Sequence, residues 1–435
     1  MPQTKNTQLD INDEYQQRLA KMEQLQAKED PYPAQTKRSL LVADFLNKFK
    51  DLLKSEKKVV LAGRITSVRL QGGSCFLHFV DESGKLQAFL RKDNLGEDKF
   101  KYFKDNFDQG DFVEFSGTAF ETKTKESSIL VSDLKMLSKT LMPLPDEYYG
   151  LNDTALRYRK RYLDLLVNPE VKKIFDLRSQ VFKFIRDYFD KQGFTEVDTP
   201  VLQSVAGGAT AEPFITHHKA LDIDLYLRVA PELYLKRLII GGYEKVYEMA
   251  RCFRNEGIDH QHNPEFTQIE FYWAYKDYEF LMSFMEKFMA ALVKEVNNGK
   301  LKVKNGKDTI DFTPPYPRID FKEALDKALK IDIDKTDNKQ LADLAKKAKL
   351  PVDKTWGRGK LLDELYKKYV RQDIIQPSFL INHPLELSPL SKKIPDRPNY
   401  VERFQLLVKT AEVCNAFSEL NDPIDQEQRF KEQKK

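Results

Sequence analysis

Glycine is scarce in this chain, at 18 of 435 residues, so any glycine-rich signature must be visible in the placement of these few. Cysteine is scarcer still. Cys75, Cys252 and Cys414 lie far apart with no CxxC pair, which argues against a disulfide framework or a zinc knuckle and fits a reducing cytoplasm. No uninterrupted apolar run approaches the ~20 residues that a membrane-spanning helix needs, so no membrane association is expected. The opening MPQTKNTQLDINDEYQQ has no apolar core, and no secretory signal is expected. Charge of one sign is lacking too: 71 basic against 67 acidic residues leave a net charge of +4. A polyanionic partner therefore has to be argued from particular segments.

What is present suffices for a sizeable core, with 41% apolar residues and a length that suggests two to three domains at about 150 residues each. Residues 1–56 carry Tyr15, Leu19, Met22 and Leu25 at helical spacing among Lys, Glu and Gln. This reads as a solvated helical extension ending at Asp30-Pro31, because a residue before proline is pushed out of the α region. Over 57–140 the period changes to that of strands: VVLAGRITSVRL, SCFLHFVDES, KLQAFLRK, DFVEFSGTAFET and SSILVSDLKML, with a helical DKFKYFKDNF between the third and fourth. Five short strands with a helix at that place is the pattern of an OB-fold barrel, whose strand 2–3 face commonly binds oligonucleotides. Phe76, Phe79 and Phe89 are candidates to stack bases there, with Arg69 and Lys85 near for phosphates. Most of the three aromatics are nevertheless expected in the barrel core.

Residues 141–170 read as a stiff linker through Pro143 and Pro145, then a basic amphipathic helix with Arg157, Arg159, Lys160 and Arg161. A larger region, 171–435, opens with a helical stripe of Val171, Ile174, Phe175, Leu177, Val181, Phe184, Ile185 and Tyr188, stopped at Gly193. Strands LYLRV, KVYEMARCFRN and FTQIEFYWAY follow, then a lysine-rich helical insertion near 321–372, and YVERFQLLVKTAEVCNAFSEL as two strands before a final polar helix. The expected class is α+β and multidomain.

Chemistry concentrates around 245–275. Arg251, Arg254, His260 and His262 stand with Glu256, Glu265 and Glu270 in about twenty residues. The guanidinium is planar, permanently charged and forked, which suits phosphate oxygens, and Phe266 offers a flat apolar face for a purine. A surface hairpin with cross-strand ion pairs accounts for the same pattern equally well. His260-Gln-His262 has metal-pair spacing but no third ligand close in sequence, so zinc is not expected.

FRNEGIDHQHNPEFTQIEFYWAY resembles motif 2 of the class II aminoacyl-tRNA synthetases in its lysyl form. APELYLKRLIIGGYEKVYEM, VAGGATAEPFITHHKALD and NAFSELNDPIDQEQRF resemble the same lysyl-tRNA synthetase family, and the barrel resembles its anticodon-binding domain. The likeness runs in continuous order from about residue 57. It implies an N-terminal OB-fold barrel followed by an antiparallel-sheet catalytic domain that couples L-lysine to tRNA(Lys) through a lysyl-adenylate, with ATP as co-substrate and Mg2+ as cofactor. Arg254 would hold the α-phosphate and the amino-acid carboxylate. Glu256 would accept from the adenine amino group, Phe266 would stack on the ring, and His262 and Asn263 would contact the nucleotide from the loop. Glu419 and Tyr272 would take the substrate's side-chain ammonium, Glu232 and the Gly208 carbonyl its α-ammonium, with Glu270 adding charge and Asn415 and Phe417 framing carboxylate and stem. In the barrel, Phe76 would stack on a uridine-rich anticodon while Arg69, Gln87 and Glu126 read base edges. FTEVDTPVL, with Pro200, resembles motif 1, the dimer interface, and so implies a homodimer.

Three departures stand beside the likeness. Glu412 matches a metal-binding acid, but the second such position is Gln405, whose amide oxygen brings no charge. Glu212 occupies a place where the family often has arginine. The last glycine is Gly359, so no GxGxGxxR segment follows it. The expectation from that is a chain stopping before motif 3, with an unpaired sheet edge and little activity alone, or else a tRNA-binding remnant.

Overall fold

A computed structural model describes residues 4–144, 151–209, 211–259, 262–353 and 355–433. Pro145 and His260 fall outside these. The chain forms two compact units, 1–172 and 173–435.

In the first unit five strands, β1 (Val59–Gln71), β2 (Ser74–Val80), β3 (Lys85–Arg91), β4 (Phe112–Glu121) and β5 (Ser127–Ser138), close in the order β1-β2-β3-β5-β4. Their alternation places Leu61, Ile65, Leu77, Phe79, Leu86, Phe115, Ile129 and Val131 inside. The helix Glu97–Asn106 connects β3 to β4 and adds Phe100 and Phe103 to this core. The turn after β2 is built by the Asp81 carboxylate, which accepts from the N–H groups of Ser83 and Gly84 and from that of Val42. Gly117 packs its backbone so close to β5 that a Cβ would stand 2.1 Å from the Leu130 carbonyl oxygen.

The structure departs from the sequence expectation in two places here. Most of the three phenylalanines do not enter the core: Phe79 does, whereas Phe76 and Phe89 stack on each other outside it at 4.3 Å and 13°. The segment before β1 is also more than a solvated helix. Besides the helix Thr4–Gln26, helices Val42–Asn47 and Phe49–Ser55 bury Val42, Phe45, Phe49 and Leu52 in the barrel's own core. The first helix is anchored by buried Arg18, which donates to the Gln109 and Thr140 carbonyls, beside a buried ammonium–carboxylate group of Lys139, Asp108 and Asp111. Farther along, Arg157 and Arg161 of the basic segment both engage buried Asp164.

The second unit packs its sheets around one aromatic core. Strands 245–253 and 265–273 form an antiparallel hairpin, with Thr195–Glu196 alongside in parallel. A second sheet runs 318–320, 378–384, 397–408 and 393–394, with Ala411–Phe417 added to strand 397–408. Among the described residues that last strand pairs on one side only. Helices Pro169–Lys191 and Tyr278–Val296 cover these sheets, and Phe189 sits at the centre, within 4.9–5.8 Å of the rings of Phe194, Tyr247, Phe271, Phe284 and Phe288. Such edge-to-face clusters add to the area each ring removes from water. The stripe on the long helix is split by this packing: Val171 and Ile185 are buried, while Ile174, Phe175 and Leu177 remain exposed. Helices 321–329, 338–347 and 358–369 of the insertion have their own core around Leu325, Leu341, Leu365 and Tyr366.

Candidate functional site

The hairpin of the second unit carries two arginines three residues apart with opposite environments. Arg251 is half exposed and pairs across the strands with Glu265 at 2.6 Å, the ion-paired surface that a bland reading anticipates. Arg254, at the end of its strand, has a buried Nε with no partner and lies 5.0 Å over the Phe266 ring. A buried donor left without an acceptor costs the protein desolvation energy, and a ligand oxygen recovers it. The structure thus brings Arg254 and Phe266 together. Glu256, His262 and Asn263 stand exposed on the loop between the strands, where the His262 ring nitrogen lies 2.8 Å from Asp259.

Beneath the hairpin an ion pair sets the strands in place. Arg228 and Glu248 are both nearly fully buried at 2.5 Å, and the same guanidinium donates to the carbonyls of Thr199 and Arg251. Glu248 faces Glu270 directly across the ladder. Like charges in that position repel, and Arg228 answers the deeper of the two. This pair escaped sequence reading because its partners sit on separate segments with no shared spacing.

A cluster of acids lies beside it. The Glu270 carboxylate accepts from the Tyr272 hydroxyl and from the Gln268 amide, each at 2.9 Å. Burial drives its pKa up to about 7, opposed by the Tyr272 hydrogen bond and raised further by the Glu232 charge. Burial likewise pushes the Tyr272 hydroxyl well above its ordinary value. Glu232 begins the helix Glu232–Ile240 and is nearly buried. Gly208 packs against it at φ +90, where a Cβ would meet the Glu232 Cβ at 3.1 Å and the Ala230 Cβ at 3.2 Å, so only glycine leaves room there. Glu419 comes from just beyond the strand 411–417. Its carboxylate is also raised, by burial first, with Lys236 opposing.

The Lys236 ammonium joins these groups. It lies 2.6 Å from Glu232 and 3.1 Å from Glu419, and within 6 Å of the ring centres of Tyr272 and Phe417. Gly208, Glu232, Glu270, Tyr272, Phe417 and Glu419, drawn from distant parts of the sequence, are thus connected through contacts around one cationic group. Lys236 was not among the residues expected. Its only sequence signal is the spacing of four from Glu232 on one helix face.

Asn415 lies opposite Gln405 on the strand 411–417 and accepts from Arg403 at 2.9 Å. Gln405 donates its amide to Glu412 at 2.7 Å. Among the described residues no three His, Cys, Asp or Glu side chains gather as a metal site. One carboxylate with an amide oxygen, after a half-turn of the Gln405 amide, makes a hard-oxygen pair that fits a magnesium ion only if phosphate oxygens and water complete its shell. Glu212, in the segment before the acid pocket, is exposed.

In the barrel, Arg69, Phe76 and Gln87 lie on neighbouring strands of one face, and Glu126, just before β5, reaches Gln87. Arg69, Phe76 and Phe89 lie side by side across β1, β2 and β3. The ring stack continues from Phe89 to Phe120 at 5.4 Å. Gln87 donates to Glu126 at 3.0 Å and accepts from Ser128 at 2.9 Å. His78, which sequence reading passed over, links Ser67 at 3.0 Å to Glu126 at 3.4 Å.

A family model described as tRNA synthetases class II (D, K and N) matches residues 153–435, and one described as an OB-fold nucleic acid binding domain matches residues 59–137. The chain is 46% identical to the lysine–tRNA ligase of Helicobacter hepaticus over 433 residues, covering 97% of this chain and 83% of that protein. It is 46% identical to that of Roseiflexus castenholzii over 428 residues, covering 98% and 87%. The corresponding protein of Clostridium perfringens is 47% identical over 424 residues, covering 96% and 83%.

Proposed function

The chain belongs to the class II tRNA synthetases, on their lysine–tRNA ligase branch, and we propose that it charges tRNA(Lys) through a lysyl-adenylate. In the first step a carboxylate oxygen of L-lysine bonds to the α-phosphorus of ATP and the bond to the β-phosphate oxygen breaks, its electron pair leaving with pyrophosphate. In the second, a hydroxyl of the tRNA terminal ribose attacks the activated carbonyl. The mixed-anhydride bond breaks, AMP departs, and the hydroxyl proton passes to solvent.

The protein's work is positioning and charge compensation. Arg254 binds the α-phosphate and the amino-acid carboxylate, where its unpartnered Nε gains an acceptor, and Phe266 stacks on the adenine. Glu256 accepts from the adenine amino group, and His262 and Asn263 close over the nucleotide from the loop. Glu232 and the Gly208 carbonyl hold the α-ammonium. Glu419 and Tyr272 take the side-chain ammonium, Glu270 adds its charge, Phe417 flanks the stem and Asn415 orients the carboxylate. Glu412, with Gln405, would hold a magnesium ion against the ATP phosphates, where the ion neutralises phosphate charge.

The anticodon lies on the barrel, with Phe76 stacked on a base and Arg69, Gln87 and Glu126 at base edges. A homodimer covers the exposed Ile174, Phe175 and Leu177 of the long helix. The protein works in the cytoplasm, in keeping with its free cysteines and with the lack, among the described residues, of any helix long and apolar enough to cross a membrane.

The observation that carries the choice of lysine is the convergence of Glu232 and Glu419 on one ammonium, beside Glu270. An aspartate or asparagine side chain has no use for that charge. Calorimetric titration tests the choice of substrate: binding of L-lysine, and none of L-aspartate or L-asparagine, is expected. Binding of either of the latter in place of L-lysine would overturn it. A chain that bound tRNA and no amino acid at all would be a binding protein instead.

A further inference from the structure

The Glu232–Lys236 pair has the spacing of an ordinary helix-surface ion pair, but not its setting. The two side chains keep only 12% and 24% of their surface open, and the ammonium reaches past its own helix to Glu419 and to within 6 Å of two aromatic ring centres. Burial alone would lower a lysine's pKa, and here Glu419 and Glu232 more than offset it, so the side chain stays charged. Glu232, Glu270 and Glu419 bring three carboxylates to one place, and such a group does not remain ionised without cations.

We propose that Lys236 is a resident counter-ion of the amino-acid pocket: it orients Glu232 and Glu419 and balances one of the three carboxylates, leaving charge for a ligand that brings two ammonium groups. This rests on the reading that these residues bind the substrate lysine. The charges then close. Three carboxylates meet one resident and two substrate ammonium groups, and the substrate carboxylate is left for Arg254. Lys236 is therefore a positioning and specificity residue rather than a catalytic one.

The consequence is read in pH. The groups around Glu270 are Glu232 and Lys236 from the helix, Gln268 and Tyr272 from its own strand, Glu248 from the strand opposite, itself neutralised by Arg228, and Glu419 from beyond the last strand. Of these Lys236 is the cation that helps to keep Glu270 ionised. Without it Glu270 retains its proton to higher pH and offers a substrate ammonium less charge.

Calorimetric titration of L-lysine into the whole chain, across pH, tests this with Lys236→Met, Lys236→Arg and Glu419→Gln. For Lys236→Met we expect affinity at neutral pH to fall about tenfold and the acid limb of binding to move up by roughly one pH unit, the shift that corresponds to that factor. Lys236→Arg, which keeps the charge, should hold the wild-type limb. Lys236→Gln supplies a second neutral side chain should the methionine variant not fold. An unchanged limb in the neutral variants, or tighter L-lysine binding, would overturn the proposal, since Lys236 would then merely compete with the ligand or brace its helix. Failure of the underlying reading looks different: Glu419→Gln would itself bind L-lysine like the wild type.

Discussion

The barrel face and the region of Arg254 and Glu270 in the second unit, the two proposed recognition sites, differ in how far their polar groups are satisfied. On the barrel, Gln87, Glu126, Ser128, His78 and Ser67 already hydrogen-bond one another, and the half-buried stack of Phe76, Phe89 and Phe120 supplies shape. In the second unit Arg254 keeps an unpartnered buried Nε, and burial raises the Glu270 pKa to about 7 although its carboxylate accepts from Tyr272 and Gln268. A surface that reads a long flexible polymer gains from pre-ordered, mutually satisfied groups and from stacking, because each contact is small and many are summed. A site that must drive charge onto phosphorus keeps unsatisfied charge in store, at a cost to stability, and the ligand completes it. On the proposed reading, the two sites are separated by how far their polar groups are satisfied in the protein alone.

That contrast breaks if the stored charge proves dispensable. Arg254→Ala should lower ATP–pyrophosphate exchange by about a hundred- to a thousandfold, with the fold intact by circular dichroism; a loss of only a few-fold would place the nucleotide elsewhere. Next in size is the pH response of wild-type lysine binding. A substrate ammonium favours ionised Glu270, so binding releases a proton below the pKa of about 7. Affinity should fall by up to about tenfold per pH unit as pH drops below that value, and level off above it. A flat titration from acid to neutral pH would show that Glu270 does not face the ligand.

Phe76→Ala sharpens the other side. It should weaken binding of an anticodon stem-loop by about 1–3 kcal/mol while leaving L-lysine affinity untouched. Equal effects on both would mean that the two sites are not separate in function. The smallest effect is expected at Arg251→Ala. Its ion pair with Glu265 is solvent-exposed, and its loss should cost under about 1 kcal/mol in thermal or urea unfolding.

Strand and helix periodicity made the barrel, the long helix and the 245–275 hairpin legible in the sequence, because those elements alternate faces between core and water. The reading fell short just before the barrel. Val42, Phe45, Phe49 and Leu52 complete the barrel core, but they sit on two short helices of six and seven residues, too short for a helical period to stand out from the lysine-rich extension before them. The outward stack of Phe76 and Phe89 was legible only as a choice between core and surface, which register decides. In the catalytic unit the motifs named the pocket acids, yet not the two cations that hold acids in place. Arg228 meets Glu248 from another segment, and Lys236 reaches Glu419 only once the sheets are assembled. Partners brought together by tertiary packing leave no spacing to read.

The central claim is that carboxylates in the second unit select a ligand by its side-chain ammonium. The most direct measurement is the ratio of affinities for L-lysine and for L-norleucine, which matches the stem and lacks that ammonium, in wild type and in Glu419→Gln. A large ratio in the wild type that collapses in the variant is predicted. A ratio unchanged by the substitution would contradict the account.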